Sequence, residues 1–447
     1  MARSVPTRVG FLFNYDWDAS AHHEVLKGLA ADDAGFDPIS LAGVLRLLTL
    51  DLDRYADRLA RRGRARNWAA VVSHHELYGT LVAAMVAERL GLAGPTVAAV
   101  LACQHKLYAR SVLQEVCPQE NLRFTAVDAR PNVSPPESLG LPVYLKPVRA
   151  TFSMLARGID GPIAWHDYFA NVSADRWITC RLLMPFEQAI ARHLPQAGSS
   201  LRFLAEEPVW HSQYNLDGYR DQSGTHLLGV VDAVSYPGTQ AFQRWEFPSR
   251  LPQTVITRAL AVAQRFLAAV GFGQGFFNME FFYDKVSDRI SVIEFNPRLS
   301  SQFGDLYRGV LGLNPHAMAL AIALGRKGST VPQQPPTGKV GASLVWRAFA
   351  RDELPPRPPK GAIAALSREI PGAQLAQFSR APFSVHRELA WMGSHRYAVV
   401  NLVAEDSESL LRQSSRISNL LGWPNAPYAQ SLSELALGHG EWLARWR

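Results

Sequence analysis

The chain has 447 residues, 47% of them hydrophobic and 19% charged. That is the composition of a globular protein, with length for about three domains. No unbroken apolar run reaches the roughly 18 residues a membrane-spanning helix needs, and the basic start is interrupted at Asn14, Asp16 and Asp18, too early for a signal peptide. The net charge of +7 would suit a polyanion. However, the densest basic cluster (Arg58, Arg61, Arg62, Arg64, Arg66) belongs to a helical stretch that also carries three aspartates, and it reads as a solvated face rather than a nucleic-acid surface.

In chain order, residues 8–15 predict a buried strand and residues 20–34 a helix ending at Gly35. A second strand at 67–75 and helix at 77–92 complete a parallel α/β pattern over residues 1–95, a Rossmann-like unit without the GxGxxG of a dinucleotide site. Gly94-Pro95 marks a break. A helix is expected at 103–116, a proline-rich loop at 131–142, a strand at 143–147, short β runs over 200–236 and a helix at 254–270. Residues 331–339 read as a linker, followed by a strand at 395–404 and a helix at 407–421, an extra C-terminal α/β element over 331–447. Cys103, Cys117 and Cys180 are widely spaced and form no CxxC pair, which fits a reducing cytoplasm.

The strongest chemical signal lies between Asn278 and Arg308. Glu280 sits in one apolar run and Glu294 and Asn296 in the next, joined by the polar turn at 284–288. Folded as a hairpin, these residues form an oxygen-rich pocket suited to Mg²⁺ and the phosphates it accompanies. Arg298 follows, with a planar fork suited to a carboxylate or acyl phosphate. Lys106 on a helix and Lys146 at a strand end are point charges for phosphate, and Lys146 stands in an apolar context where it needs a partner. Arg149, Thr151 and Ser153 could form a flap over phosphates, although glycine is absent there until Gly158. Backbone and carboxylate groups at Glu206, Glu207 and Val209 could read an adenine edge, with the choice between the two glutamates open. Ser300, Ser301 and Gln302 could line the same pocket or start a helix.

Together these residues resemble the ATP-grasp superfamily over roughly residues 8–325. The order is a Rossmann-like first domain, a helix lysine, KP at a strand end, a hinge glutamate, and E…EFNPR. The resemblance implies an α/β ATP-grasp fold with a small lid subdomain at 96–205 carrying both lysines and a large subdomain at 206–330 carrying the metal site, with the C-terminal α/β domain following. It implies ATP as cofactor, with its phosphates at Lys106 and Lys146 and its adenine at Glu206, Glu207 and Val209; Ser153 of the flap and Gln213 are further candidates for ATP contact. Mg²⁺, two ions with Mn²⁺ as a substitute, is implied at Glu280, Glu294 and Asn296. Arg298 matches the arginine that holds the acyl-phosphate carboxyl group. The family often has a glutamate for the ribose where this chain has Gln213. Within the superfamily the chain is similar to L-amino-acid ligases and other carboxylate–amine ligases.

The reaction so implied joins a small carboxylic acid and an amine through an acyl phosphate, releasing ADP and phosphate. Asp232, in an apolar run, is a candidate base, and Ser301 a candidate substrate contact. His22, His23, His74 and His75 lie at strand–helix junctions that often face ligands. Trp165, Trp210, Trp245, Phe276, Phe277 and Phe303 could shape a substrate pocket. The alternatives are a biotin-carboxylase-like enzyme and a non-catalytic ATP-binding module. The partners expected are small molecules, with neither nucleic acid nor membrane, and a homodimer on general grounds.

Overall fold

The computed structural model describes residues 7–424 and 427, apart from 27, 39, 48, 129, 131, 132 and 151–154. The chain opens with three parallel strands, β1 (Arg8–Leu12), β2 (Ala30–Ala34) and β3 (Trp68–Val72), in the order β2-β1-β3. Helices α1 (Asp16–Val25), α2 (Leu41–Leu47), α3 (Leu52–Ala65) and α4 (Gly79–Leu90) accompany them. The helix expected at 20–34 is thus two elements. α1 stops at Val25, the chain turns through Gly28 at φ +89°, and 30–34 form a strand. Alanine and aspartate have little strand propensity, but tertiary contacts override it. Asp32 is buried and accepts from Arg62, from Arg66 at 2.8 Å and from the Trp68 indole at 2.9 Å. The basic helix face therefore has an inward function in addition to its solvated side.

Helices α5 (Val97–Gln104) and α6 (Lys106–Val116) follow, where one helix was expected. His105 breaks them with φ −95° and ψ 89°, and its Nδ1 caps α6 by accepting from the Tyr108 amide. A four-stranded antiparallel sheet comes next: β4 (Phe124–Val127), β5 (Val143–Pro147), β6 (Arg157–Ile159) and β7 (Phe203–Glu206), ordered β4-β7-β5-β6. Between β6 and β7 runs α7 (Pro162–His193), an element with no counterpart in the sequence reading. Its first turns pack Trp165, Tyr168 and Phe169 on this sheet, while Leu182, Phe186 and Ile190 join the core of the first unit. One helix thereby braces both layers.

The third sheet has eight strands: β8 (Ser212–Asp221), β9 (Gly224–Ser235), β10 (Phe242–Phe247), β11 (Gly275–Asp284), β12 (Arg289–Asn296), β13 (Val340–Ala348), β14 (Gln374–Gln377) and β15 (His395–Ala404). Their order is β12-β11-β8-β9-β10-β13-β15-β14. A line drawn at residue 331 therefore falls inside one continuous sheet, because β10 pairs with β13. α8 (Gln253–Ala269) covers one face near β11 and β12 and packs with α6. α9 (Gly304–Leu311) and α10 (Pro315–Ala323) cover the other. α11 (Ala362–Glu369), α12 (Pro382–Met392) and α13 (Ser407–Leu421) accompany the last strands. Among the described residues no helix is long and apolar enough to cross a membrane.

Removing the Asp32 carboxylate would leave the Arg66 guanidinium and the Trp68 indole N–H without this acceptor and Arg62 with only the Asp33 carbonyl. Asp32→Ala should lower the unfolding free energy by about 3 kcal/mol, read from urea titration, with Asp32→Asn recovering part of the loss.

Candidate functional site

Strands β11 and β12 form the expected hairpin. Glu280 stands directly opposite Glu294, and Asn278 opposite Asn296. Alternation explains the display: Met279, Phe281, Val292 and Phe295 enter the core beneath α8, while Glu280 and Phe282 line a cavity on the other face. A bulge between Glu280 and Phe281 lets Ile293 and Glu294 both reach the cavity wall. The Asn296 amide donates across 3.2 Å to Asn278, 3.4 Å to Glu280 and 3.5 Å to Glu294, and the Gln213 amide donates to Glu280 at 2.9 Å. Below them Asn278 donates to Asp217, which also accepts from the Tyr307 hydroxyl. Burial pushes Asp217 up to about 6.

Both lysines arrive at the same wall. The Lys106 backbone N–H donates to the Val148 carbonyl, tying the first turn of α6 to the end of β5. Lys106 Nζ then lies 3.0 Å from Glu294 and 2.9 Å from the Ala150 carbonyl. Lys146 Nζ lies 2.7 Å from Glu206, whose other oxygen accepts from Arg110 at 2.6 Å. Burial pulls Lys146 down. Burial alone would raise Glu206, yet Arg110 and Lys146 hold it below the ordinary carboxylate range. Glu280 is pushed up by burial first and by Glu294 second. Glu294 is pulled down, against burial, by Lys106 and Lys146.

The cavity these groups border has a volume of about 1070 Å³. Its wall includes Lys106, Lys146, Glu280 and Glu294, together with the connection from Glu206 to Gln213 and the aromatic ring of Tyr144. Both hinge glutamates are engaged in ion pairs: Glu206 with Arg110 and Lys146, and Glu207 with Arg123 at 2.9 Å and Arg289 at 3.1 Å. Val209 and Gln213 line the cavity. Ser153 lies outside the described residues. Arg149 is buried and donates to the Glu76 and Leu77 carbonyls, a tether to the first unit.

Arg298 is absent from the cavity's lining. Its guanidinium lies 2.5 Å from Glu76, in the loop after β3, and this carboxylate raises its pKa against the effect of burial. Tyr15 stands beside them, pushed up to about 12 by burial first and by Glu76 second. Glu76, Tyr15 and Arg110 went unread in the sequence. Glu76 follows the predicted strand at the edge where α/β sheets carry ligands, and Arg110 lies one helical turn after Lys106, so both left a trace.

Other expectations part from the geometry. Asp232 is not an unpaired base: it accepts from the Ser249 hydroxyl and from the Arg250 amide and guanidinium, locking the turn after β10, and does not line the cavity. Ser301 also lies off the cavity wall, in the turn before α9. His23 is exposed near Asp33, and His75 stacks on Tyr15. His22 and His74 are buried together, and desolvation pulls them down to about 2 and about 4. Of the six aromatics considered, Trp210 lines the cavity, while Trp165, Trp245, Phe276, Phe277 and Phe303 are core.

No family model matches the chain. The chain is 27% identical over 279 residues to the uncharacterized protein y4rH of Sinorhizobium fredii, covering 61% of this chain and 52% of that one, so it spans about half the length of the curated relative it matches. Among solved structures, the L-amino acid ligase of Bacillus licheniformis superposes with a TM-score of 0.68 at 14% identity, over 93% of this chain and 98% of that one. The N5-carboxyaminoimidazole ribonucleotide synthetase of Thermus thermophilus gives 0.62 at 17%, over 92% and 98%. The biotin carboxylase of Campylobacter jejuni, solved as a βγ-ATP complex, gives 0.60 at 13%, over 92% and 91%. At such identities the shared property is the fold.

The position of Glu280 has a measurable cost. Its folded-state pKa of about 8 lies above the ordinary 4.5, so between these values the folded chain binds more protons than the unfolded one, and stability falls as pH rises through that window. In EDTA, Glu280→Gln should unfold at higher urea than the unsubstituted protein at about pH 8, and the gap should narrow toward about pH 5.

Proposed function

The chain has the ATP-grasp fold, and from it we propose an ATP-dependent carboxylate–amine ligase that forms an amide or peptide bond through an acyl phosphate. The supporting observation is the meeting of two lysines and two carboxylates in the wall of a single large cavity that continues to the hinge at Glu206–Gln213. Its volume of about 1070 Å³ is at the upper end of small-molecule sites, room for a nucleotide.

In this reading adenine lies against the hinge. Because both hinge carboxylates are engaged in ion pairs, the backbone from Glu207 to Val209 reads the base, with Tyr144 beside it. Gln213 stands where the ribose would be met. Lys106 and Lys146 meet the phosphates. Glu280, Glu294 and Asn296 would hold Mg²⁺, and the donor set fits: two carboxylates and an amide carbonyl are hard oxygen ligands. The Asn296 amide must turn over to present its oxygen, giving up only three contacts of 3.2–3.5 Å. When bound, magnesium offsets charge between the β- and γ-phosphates.

The acid's carboxylate oxygen attacks the γ-phosphorus and the bond to the ADP oxygen breaks. Amine nitrogen then attacks the acyl carbon, phosphate leaves, and the nitrogen gives up a proton. Arg298 contributes fixed positive charge near the acid and is held in place by Glu76. A lysine at 298 would keep the charge and lose the planar fork.

Glu294→Ala should reduce ADP formation by about 100-fold or more, and Arg298→Lys should lower turnover while leaving nucleotide binding intact, both measured by phosphate release with ATP across pairs of amino acids and small acids. Mass analysis of the product distinguishes ADP from AMP and identifies the amide. Undiminished ADP formation by Glu294→Ala would overturn the assigned site, and ADP release that needs bicarbonate but no amine would select a biotin-carboxylase-like activity.

A further inference from the structure

Apart from the cavity, Asp18, His22, His74 and His316 meet in the interior with one ligand atom each, all within 4.8 Å of one another. None of the four is more than 5% exposed. Asp18 and His22 lie one turn apart on α1, so their side chains share a face. His74 follows β3, and His316 is the second residue of α10.

We propose that these four side chains form a closed zinc site that clasps the first unit to α10. Within the cluster the hydrogen bonding is far from complete. His316 Nε2 meets Asp18 Oδ1 at 2.9 Å and the Ser301 hydroxyl stands beside Asp18, yet both nitrogens of His22, His74 Nε2 and His316 Nδ1 are buried without a partner. Buried polar atoms are rarely left so, and several meeting at one point indicate a ligand.

The spacing agrees with a tetrahedral ion. Three imidazoles bound through nitrogen at about 2.0–2.1 Å from such an ion have ring centres about 5 Å apart. Here the centres are separated by 5.3 Å for His22 and His74, 5.4 Å for His22 and His316, and 5.6 Å for His74 and His316. Phe11 stacks on His22 at 4.2 Å and holds that ring in place. Three imidazoles and one carboxylate suit zinc better than magnesium, which favours oxygen donors throughout. Four protein donors in a buried pocket leave no position for water, so the site is structural.

The clasp joins parts of the chain 298 residues apart. It lies close to the ion pair between Glu76 and Arg298, which joins the same two regions, since Glu76 follows His74 by two residues. Zinc would therefore stiffen the seam at which Arg298 is held.

The full-length protein, purified without chelator, should contain about one zinc per chain by elemental analysis. His22→Gln and His316→Gln should each lower that content at least about tenfold, whereas Glu280→Ala should retain it. After removal of metal with dipicolinate, added Co²⁺ should give the intense visible bands of a four-coordinate nitrogen–oxygen site, and zinc should raise the melting temperature. The cobalt spectrum uses the unsubstituted chain, so it decides the matter even if the histidine variants fail to fold. A protein that holds no zinc and gives only the weak six-coordinate cobalt spectrum would overturn the proposal. So would a His22→Gln variant with undiminished zinc.

Discussion

Two carboxylates facing each other on adjacent strands are the constraint around which this molecule is arranged. Like charges in that register repel, and burial penalises both. The pair persists because cations are brought to it from separate segments: Lys106 from the first turn of α6, Lys146 from the end of β5, and Arg298 from the turn after β12. Each cation is anchored in turn, by the Ala150 carbonyl, by Glu206 and by Glu76. Charge therefore organises the meeting of all three sheets.

The triad of Arg110, Glu206 and Lys146 shows how such an arrangement keeps its geometry. Buried ion pairs contribute little net stability, but breaking one leaves an uncompensated charge. Arg110 also donates to Asn121 and to the Ile293 carbonyl, next to Glu294. A single guanidinium thus aligns the small sheet, the large sheet and α6.

Much of this was legible in the residues. The alternation of apolar and acidic positions defined the β11–β12 hairpin, and strand 395–404 and helix 407–421 coincide with β15 and α13. What escaped was set by contacts distant in sequence. β2 has helical composition and is a strand because Asp32 finds Arg62, Arg66 and Trp68. Glu206 looked free to meet a ligand, and only the fold brings Arg110 against it. The apolar run around Asp232 offers it no partner, and only the turn at Ser249 and Arg250 supplies its donors. Short-range pattern fixes the face on which a side chain emerges; its counter-ion belongs to another segment.

The tie between Glu76 and Arg298 spans 222 residues. Domains tend to fold in order as a chain leaves the ribosome. Glu76 must wait, unmatched, until the hairpin and its following turn have been synthesised, and the face of the first sheet that packs on Leu320 waits longer still. A chain cut short before Arg298 would carry both cavity lysines yet leave Glu76 without its counter-ion.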